Sequence, residues 1–168
     1  MVKHWTESEL VSKLNELTVI VDSREQQLHI KNYFDKKKVP TIVRKLDIGD
    51  YSAQIGDMTL EHDVVIERKH DLTELCGNLS TSRERFEREF LRAKANNTKV
   101  FLVIENASFE DIYLHNYRSQ LTPKSLMASL MSWQVRFNIT IIFCSSEYSP
   151  RLIHQIIYYA AREQLLNT

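Results

Sequence analysis

The sequence predicts an α/β domain with a mixed central sheet and helices on both faces, and three observations carry that expectation. Thr18 to Val21 and Val100 to Ile104 are β-branched, apolar runs of strand length. The stretch from Tyr51 to Glu67 holds three strand-like segments joined by tight connections, among them the turn Gly56-Asp57, which implies antiparallel pairing. From His70 onward the texture becomes helix, strand, helix, strand, helix, so the sheet is covered by helices.

Each element can be justified in chain order. Thr6 and Glu9 form a capping-box pattern ahead of Leu10, Leu14 and Leu17, predicting a short helical extension over residues 1–17 before a core spanning 18–168. Thr18 to Val21 then delivers Asp22 at a strand exit. Ile30, Tyr33 and Phe34 give helical spacing between Glu25 and Lys38, and Pro40 breaks the chain before a strand from Thr41 to Leu46. Tyr51 to Ile55, Met58 to Leu60 and Val64 to Glu67 follow as strands. Asp71 to Leu79 is a short helix, and Ser82 is placed to cap a longer one to about Asn96, with Phe86, Phe90 and Ala93 on its core face. Val100 to Ile104 is the clearest buried strand. In Thr122-Pro123 and Ser149-Pro150 a capping hydroxyl precedes a proline at the first helical position, so two more helices start there, with the strand Ile139 to Cys144 between them. Leu126, Leu130, Trp133 and Phe137 stripe the first of these helices. The second carries Leu152, Ile156, Ile157, Tyr158 and Tyr159, an apolar breadth wider than one sheet contact requires.

Composition excludes several function classes. The chain has 168 residues, 43% apolar and 26% charged, the balance of one soluble domain with a core. Its 3 glycines, Gly49, Gly56 and Gly77, cannot build a P-loop or a G-x-G-x-x-G turn, which removes ATPases and Rossmann dehydrogenases. Cys76 and Cys144 lie far apart in apolar stretches and are expected to be buried, reduced thiols rather than a zinc site or a disulfide. The apolar runs are too short to span a bilayer, so a soluble, intracellular protein without a membrane partner is expected. Lysine and arginine total 22, as do aspartate and glutamate, and a net charge of zero offers no direct sign of a polyanionic partner.

Position matters more than the sum. Asp22 ends one strand, Asp50 begins another and Glu67 closes a third, so the three acids fall along one rim of the sheet. In Glu67-Arg68-Lys69 the strand period of two puts Glu67 and Lys69 on one face and Arg68 on the other. Two converging carboxylates can hold a hard divalent cation, and an adjacent ammonium can orient a water or stabilise a phosphorane-like transition state. Downstream, Arg85, Arg88 and Arg92 form a basic stripe beside the apolar face of their helix. Interleaved Glu84, Glu87 and Glu89 allow simple pairing along the helix, but next to a metal site the stripe reads as a phosphate-tracking surface.

Val21-Asp22-Ser23-Arg24-Glu25, Ile48-Gly49-Asp50-Tyr51 and Val65-Ile66-Glu67-Arg68-Lys69, in this order and spacing, resemble the nuclease domain of the XPF family of structure-selective endonucleases. Arg85-Phe86 resembles the arginine-aromatic pair of that family, and the likeness covers roughly residues 18 to 165. The resemblance implies a restriction-endonuclease-like core and an Mg2+- or Mn2+-dependent DNA endonuclease. It implies Asp50 and Glu67 as principal metal ligands, the backbone carbonyl of Arg68 completing the site, and Lys69 orienting or activating the attacking water. Asp22 and Glu25 would extend the cluster as second-metal or outer-shell groups. Arg24 would bind the scissile phosphate or brace the carboxylates, and Arg85 would face the DNA backbone.

Two departures stand out. The last acid of the family pattern has no residue at its usual spacing: Asp71 comes too early and Glu74 one residue late, and Glu74 is the candidate because the segment through Leu79 that follows it also matches. The family also continues into a tandem helix-hairpin-helix module, whereas this sequence ends at Thr168, as in standalone phage or prophage versions. The expected substrate is branched DNA, a four-way junction, flap or fork, in recombination, repair or replication. Expected partners are this DNA, a second copy in a homodimer through the C-terminal helices, and a protein supplying further DNA contacts. The expected location is a bacterial or phage-infected cytoplasm, or the nucleus of a eukaryote. The alternative reading is a catalytically silent DNA-binding or scaffolding subunit.

Overall fold

Seven strands form one mixed sheet in the computed structural model, which describes residues 4–25 and 27–167. In chain order the elements are α1 (Glu7–Leu14), β1 (Leu17–Asp22), α2 (Leu28–Lys37), β2 (Thr41–Arg44), β3 (Tyr51–Ile55), β4 (Met58–Thr59) and β5 (Val64–Lys69). They continue as α3 (Leu72–Thr81), α4 (Arg83–Ala95), β6 (Lys99–Glu105), α5 (Phe109–Tyr113), α6 (Pro123–Phe137), β7 (Thr140–Cys144) and α7 (Ser149–Leu166). The sheet order is β2-β1-β3-β5-β6-β7, with β4 hairpinned onto β3. β3 runs antiparallel to both β1 and β5, while β1 with β2, β5 with β6, and β6 with β7 are parallel. This polarity gathers the ends of β1, β5 and β6 and the beginning of β3 at one rim.

Each face of the sheet buries its own core. α1, α2 and α7 cover one face through Leu10, Leu14, Ile30, Phe34, Ile153 and Ile157. α3, α4 and α6 cover the other, where Phe86, Phe90 and Trp133 interlock with ring centroids 4.6 to 5.3 Å apart. The expected core stripes of α4 and α6 are all buried. On α7, Ile157 is buried, Ile156 and Tyr158 are half-buried, and Tyr159 stays 61% exposed.

Several local expectations need correction. Leu17 opens β1 and does not belong to the first helix. Ser82 precedes α4, but its side chain makes no capping bond, its backbone being far from the extended conformation a capping residue needs. Ser149 is inside α7, with Tyr148 as the N-cap, because its hydroxyl donates to the buried carboxylate of Glu105 instead of accepting from a helix N–H. α5, a five-residue helix capped by Ser108, falls in a stretch assigned no element from sequence. Cys76 is buried as expected, whereas Cys144 on edge strand β7 is only half-buried. Among the described residues no helix is long and apolar enough to cross a membrane.

The two serine and threonine caps should separate in experiment. The Thr122 side chain accepts from the Ser125 N–H, so Thr122→Ala is expected to cost about 1 kcal/mol in urea denaturation. Ser82→Ala should stay within about 0.5 kcal/mol of the parent.

Candidate active site

Asp50 is fixed at two points on the edge of β5. Its N–H donates to the Ile66 carbonyl at 2.7 Å, and its Oδ2 accepts the Arg68 N–H at 2.8 Å. Gly49 makes this approach possible. Its φ is +76°, and a Cβ there would stand 3.0 Å from both the Ile66 carbonyl oxygen and the Val65 side chain. In an extended strand, N–H and C=O of one residue project from the same edge. The Arg68 carbonyl therefore faces the side on which Asp50 sits.

The pleat divides Glu67, Arg68 and Lys69 as expected. On the α4 face, Lys69 Nζ donates to Glu67 Oε1 at 2.7 Å, lies 3.7 Å from Glu74 Oε1 and stands 5.1 Å over the Phe86 ring. Glu74 is thus brought to the site through Lys69, while its Oε2 accepts the His70 N–H. Asp71, the other acid considered for that position, is the N-cap of α3 and accepts from the Glu74 N–H. On the opposite face Arg68 is only 3% exposed. Its Nε donates to Glu25 Oε1 and its Nη1 to Glu105 Oε2, both at 3.0 Å. Tyr51 also donates to Glu25 Oε1. The Arg68 guanidinium held this way is an internal anchor, which leaves the expectation for this residue with its backbone carbonyl.

Asp22 and Arg24 form a second internal unit. Both oxygens of Asp22, a fully buried residue, are used: Oδ1 accepts from Arg24 N and Nε, and Oδ2 from Leu46 N and Arg24 Nη2. Burial pushes the Asp22 carboxyl up, but Arg24 and these N–H groups outweigh it and hold it below its ordinary value. Of the two roles open to Arg24, bracing is the one its hydrogen bonds perform. With its oxygens committed, Asp22 does not join Asp50 and Glu67 as a cation ligand here. Arg85, Arg88 and Arg92 all lie exposed on α4, the helix whose Phe86 underlies Lys69, and Arg88 stands 3.9 Å from Glu84.

Asp50 and Glu67 form the electrostatically unsatisfied pair. Burial, then the nearby Glu67 carboxylate, raise Asp50 well above the usual carboxylate range. Burial also raises Glu67, although Lys69 opposes it. Burial would lower Lys69, yet Glu67 and Asp50 reverse this and raise it, so it is an ammonium at neutral pH. Asp50 Oδ1 and Glu67 Oε2 have no hydrogen-bond partner among the described residues. Two hard oxygens on mutually repelling carboxylates, one buried and one half-buried, fit a divalent cation that keeps part of its water shell. Among the described residues no three His, Cys, Asp or Glu side chains form a closed metal cage.

Two acids at this rim were missed in the sequence. Glu105 ends β6 fully buried, and Glu89 on α4 acts through space on both Glu67 and Arg24. Glu105 closes an apolar strand just as Asp22 does, and that placement was a readable sign.

Residues 21–156 match the ERCC4 domain. The chain belongs to the ERCC4-domain family. Two solved structures share the ERCC4-domain fold of this chain. One is XPF from Aeropyrum pernix, with a TM-score of 0.66 and 20% identity over 86% of this chain and 65% of that one. The other is the same protein in complex with DNA, with a TM-score of 0.64 and 19% identity over 87% of this chain and 66% of that one. This chain therefore spans about two thirds of the length of those structures. No curated protein matches its sequence. The α/β fold with helices on both faces is thus the restriction-endonuclease-like fold of the XPF nuclease domain.

The charge pattern of the ERCC4 site sets its pH response. Raised Asp50 and Glu67 pKa values mean the folded protein binds more protons than the unfolded chain above pH 3.8 and 4.5, the ordinary values of the two groups. Their contribution to stability therefore falls as pH rises through the folded-state values. Asp50→Asn keeps an acceptor for the Arg68 N–H and removes the repulsion. In metal-free buffer it is expected to melt higher than the parent near neutral pH, with the gain shrinking toward about pH 4, measured by thermal unfolding.

Proposed function

We propose that this ERCC4 domain is a divalent-metal-dependent DNA endonuclease that hydrolyses phosphodiester bonds in branched DNA, in recombination, repair or replication. The observation that carries the reading is the pair of open oxygens, Asp50 Oδ1 and Glu67 Oε2, beside the buried Lys69 ammonium at an exposed rim. Asp50, Glu67 and the Arg68 carbonyl would hold Mg2+ or Mn2+. When bound, such a cation stabilises charge on the phosphoryl oxygens and lowers the pKa of a water. Lys69, kept protonated by its acidic neighbours, donates to that water or to the developing charge and does not act as a base. Glu67 and the Phe86 ring hold its Nζ in place, and Glu74 lies close by. Arg85, Arg88 and Arg92 would track the backbone of the bound strand.

The DNA-bound XPF structure supports DNA as the ligand class. For association, Tyr159, Ile156 and Phe101 line an open apolar hollow between α7 and the sheet, which supports a homodimer in which two sites could cut symmetric strands. A monomer by sedimentation at micromolar concentration would refute the dimer.

Glu67→Ala and Asp50→Asn are each expected to abolish cutting while largely preserving DNA binding. A panel of labelled linear, flap, fork and four-way DNA, incubated with Mg2+, Mn2+ or chelator, tests this directly. Undiminished cleavage by either variant would remove these residues from the site. Binding without any metal-dependent cutting by the parent would favour a silent DNA-binding subunit.

A further inference from the structure

Glu105 has no place in the chemistry proposed above, yet its carboxylate ties together side chains from three elements, α2, β5 and α7. It is fully buried at the end of β6. Oε2 accepts from Arg68 Nη1 at 3.0 Å; Oε1 accepts from Ser149 Oγ, the first residue of α7, and lies 2.8 Å from His29 Nε2 on α2. His70 Nδ1 stands 3.8 Å from Oε2. With these oxygens committed inside the fold, Glu105 is not itself a cation ligand.

Its position relative to β5 matters more. Past Ile66, the tip of β5 pairs with β6 on one side only, Glu67 with Leu102, Arg68 with Val103 and Lys69 with Ile104. On the other side the pairing with β3 stops at Tyr51 and Ile66, and the Asp50 carboxylate takes the next N–H. A strand end held by one neighbour and one side chain is less constrained against rotation about its axis than one laddered on both sides. Rotation would carry Glu67 and Lys69 away from Asp50. Arg68 resists it from the opposite face, and its guanidinium is fixed by Glu25 and Glu105 together. Glu25 belongs to the loop after β1, whereas Glu105 sits on the strand adjacent to β5, so Glu105 is the anchor tied to the sheet.

We infer that Glu105 is a positioning residue for the Asp50 and Glu67 cation site, acting through Arg68 to fix the rotation of the β5 tip. The inference rests on the nuclease reading. It differs from a merely structural role in one consequence: the affinity for a divalent cation depends on Glu105 in protein that is fully folded.

Glu105→Gln keeps the shape and can still accept from Ser149, but removes the charge that holds Arg68. Mn2+ binding by isothermal titration to the metal-free protein, and single-turnover cleavage of branched DNA, are measured well below the melting temperature. The variant is expected to bind Mn2+ and to cut about ten- to a hundredfold less well, with KM for DNA changed by less than about twofold. A variant that melts lower but matches the parent in Mn2+ affinity and cleavage rate overturns the inference. A parent that neither binds Mn2+ nor cuts overturns the nuclease reading and the inference with it. Should Glu105→Gln fail to fold, Ser149→Ala removes one of its donors at less cost. A weakening of Mn2+ binding of about twofold or more supports the inference, and unchanged binding overturns it.

Discussion

The double attachment of Asp50 to the edge of β5 is the constraint on which the site depends. A backbone N–H and a carboxylate from one residue take two successive positions on the strand edge, the Ile66 carbonyl and the Arg68 N–H. The carboxylate thereby stands in for a missing stretch of β-ladder. Only a residue without a side chain can precede it, since the chain at position 49 turns through positive φ against β5. The remaining Asp50 oxygen is left beside Glu67, and the alternation of β5 then puts Lys69 on the same face. The grouping of Asp50, Glu67 and Lys69 follows from one strand edge and one turn.

The energetic character of the site comes from how the surrounding cations are allotted. Arg24 is committed to Asp22, and Arg68 to Glu25 and Glu105. That leaves Lys69 as the cation bonded to Glu67, with none bonded to Asp50 among the described residues. Two partly neutralised carboxylates in a desolvated setting store unfavourable charge, which protons or a divalent cation can relieve. The acids that appear redundant in the cluster have separate duties. Asp22 and Glu105 are structural carboxylates that occupy the arginines, and Asp50 and Glu67 are the ones left open.

The sequence was most legible where structure is local. Thr6 and Thr122 cap their helices as their spacing predicted, because a cap needs only residues three positions away. The apolar stripes of α4 and α6, the hairpin at Gly56 and the division of Glu67, Arg68 and Lys69 between faces were legible for the same reason. Ser149 was misjudged because a carboxylate 44 positions away competes for its hydroxyl. The strand-end placement of Glu105 was readable, but its engagement was not, because its partners come from α2, β5 and α7 and no local pattern contains them. The pairing of Asp22 with Arg24, and of the Arg68 side chain with Glu25 and Glu105, was not legible for a related reason: spacing shows which residues approach a rim, but not whether their polar atoms are already taken.

The sheet separates two hydrophobic cores, and the tip of β5 is a place where both helical layers are felt at once. Lys69 rests on Phe86 of the α4 layer, while Arg68 reaches, through Glu105, the first residue of α7 and His29 of α2. Three consecutive residues thus form a lever whose arms end in opposite layers. The helices of both layers are therefore in contact, directly or through Glu105, with the residues that flank the Asp50 and Glu67 pair, with no loop between.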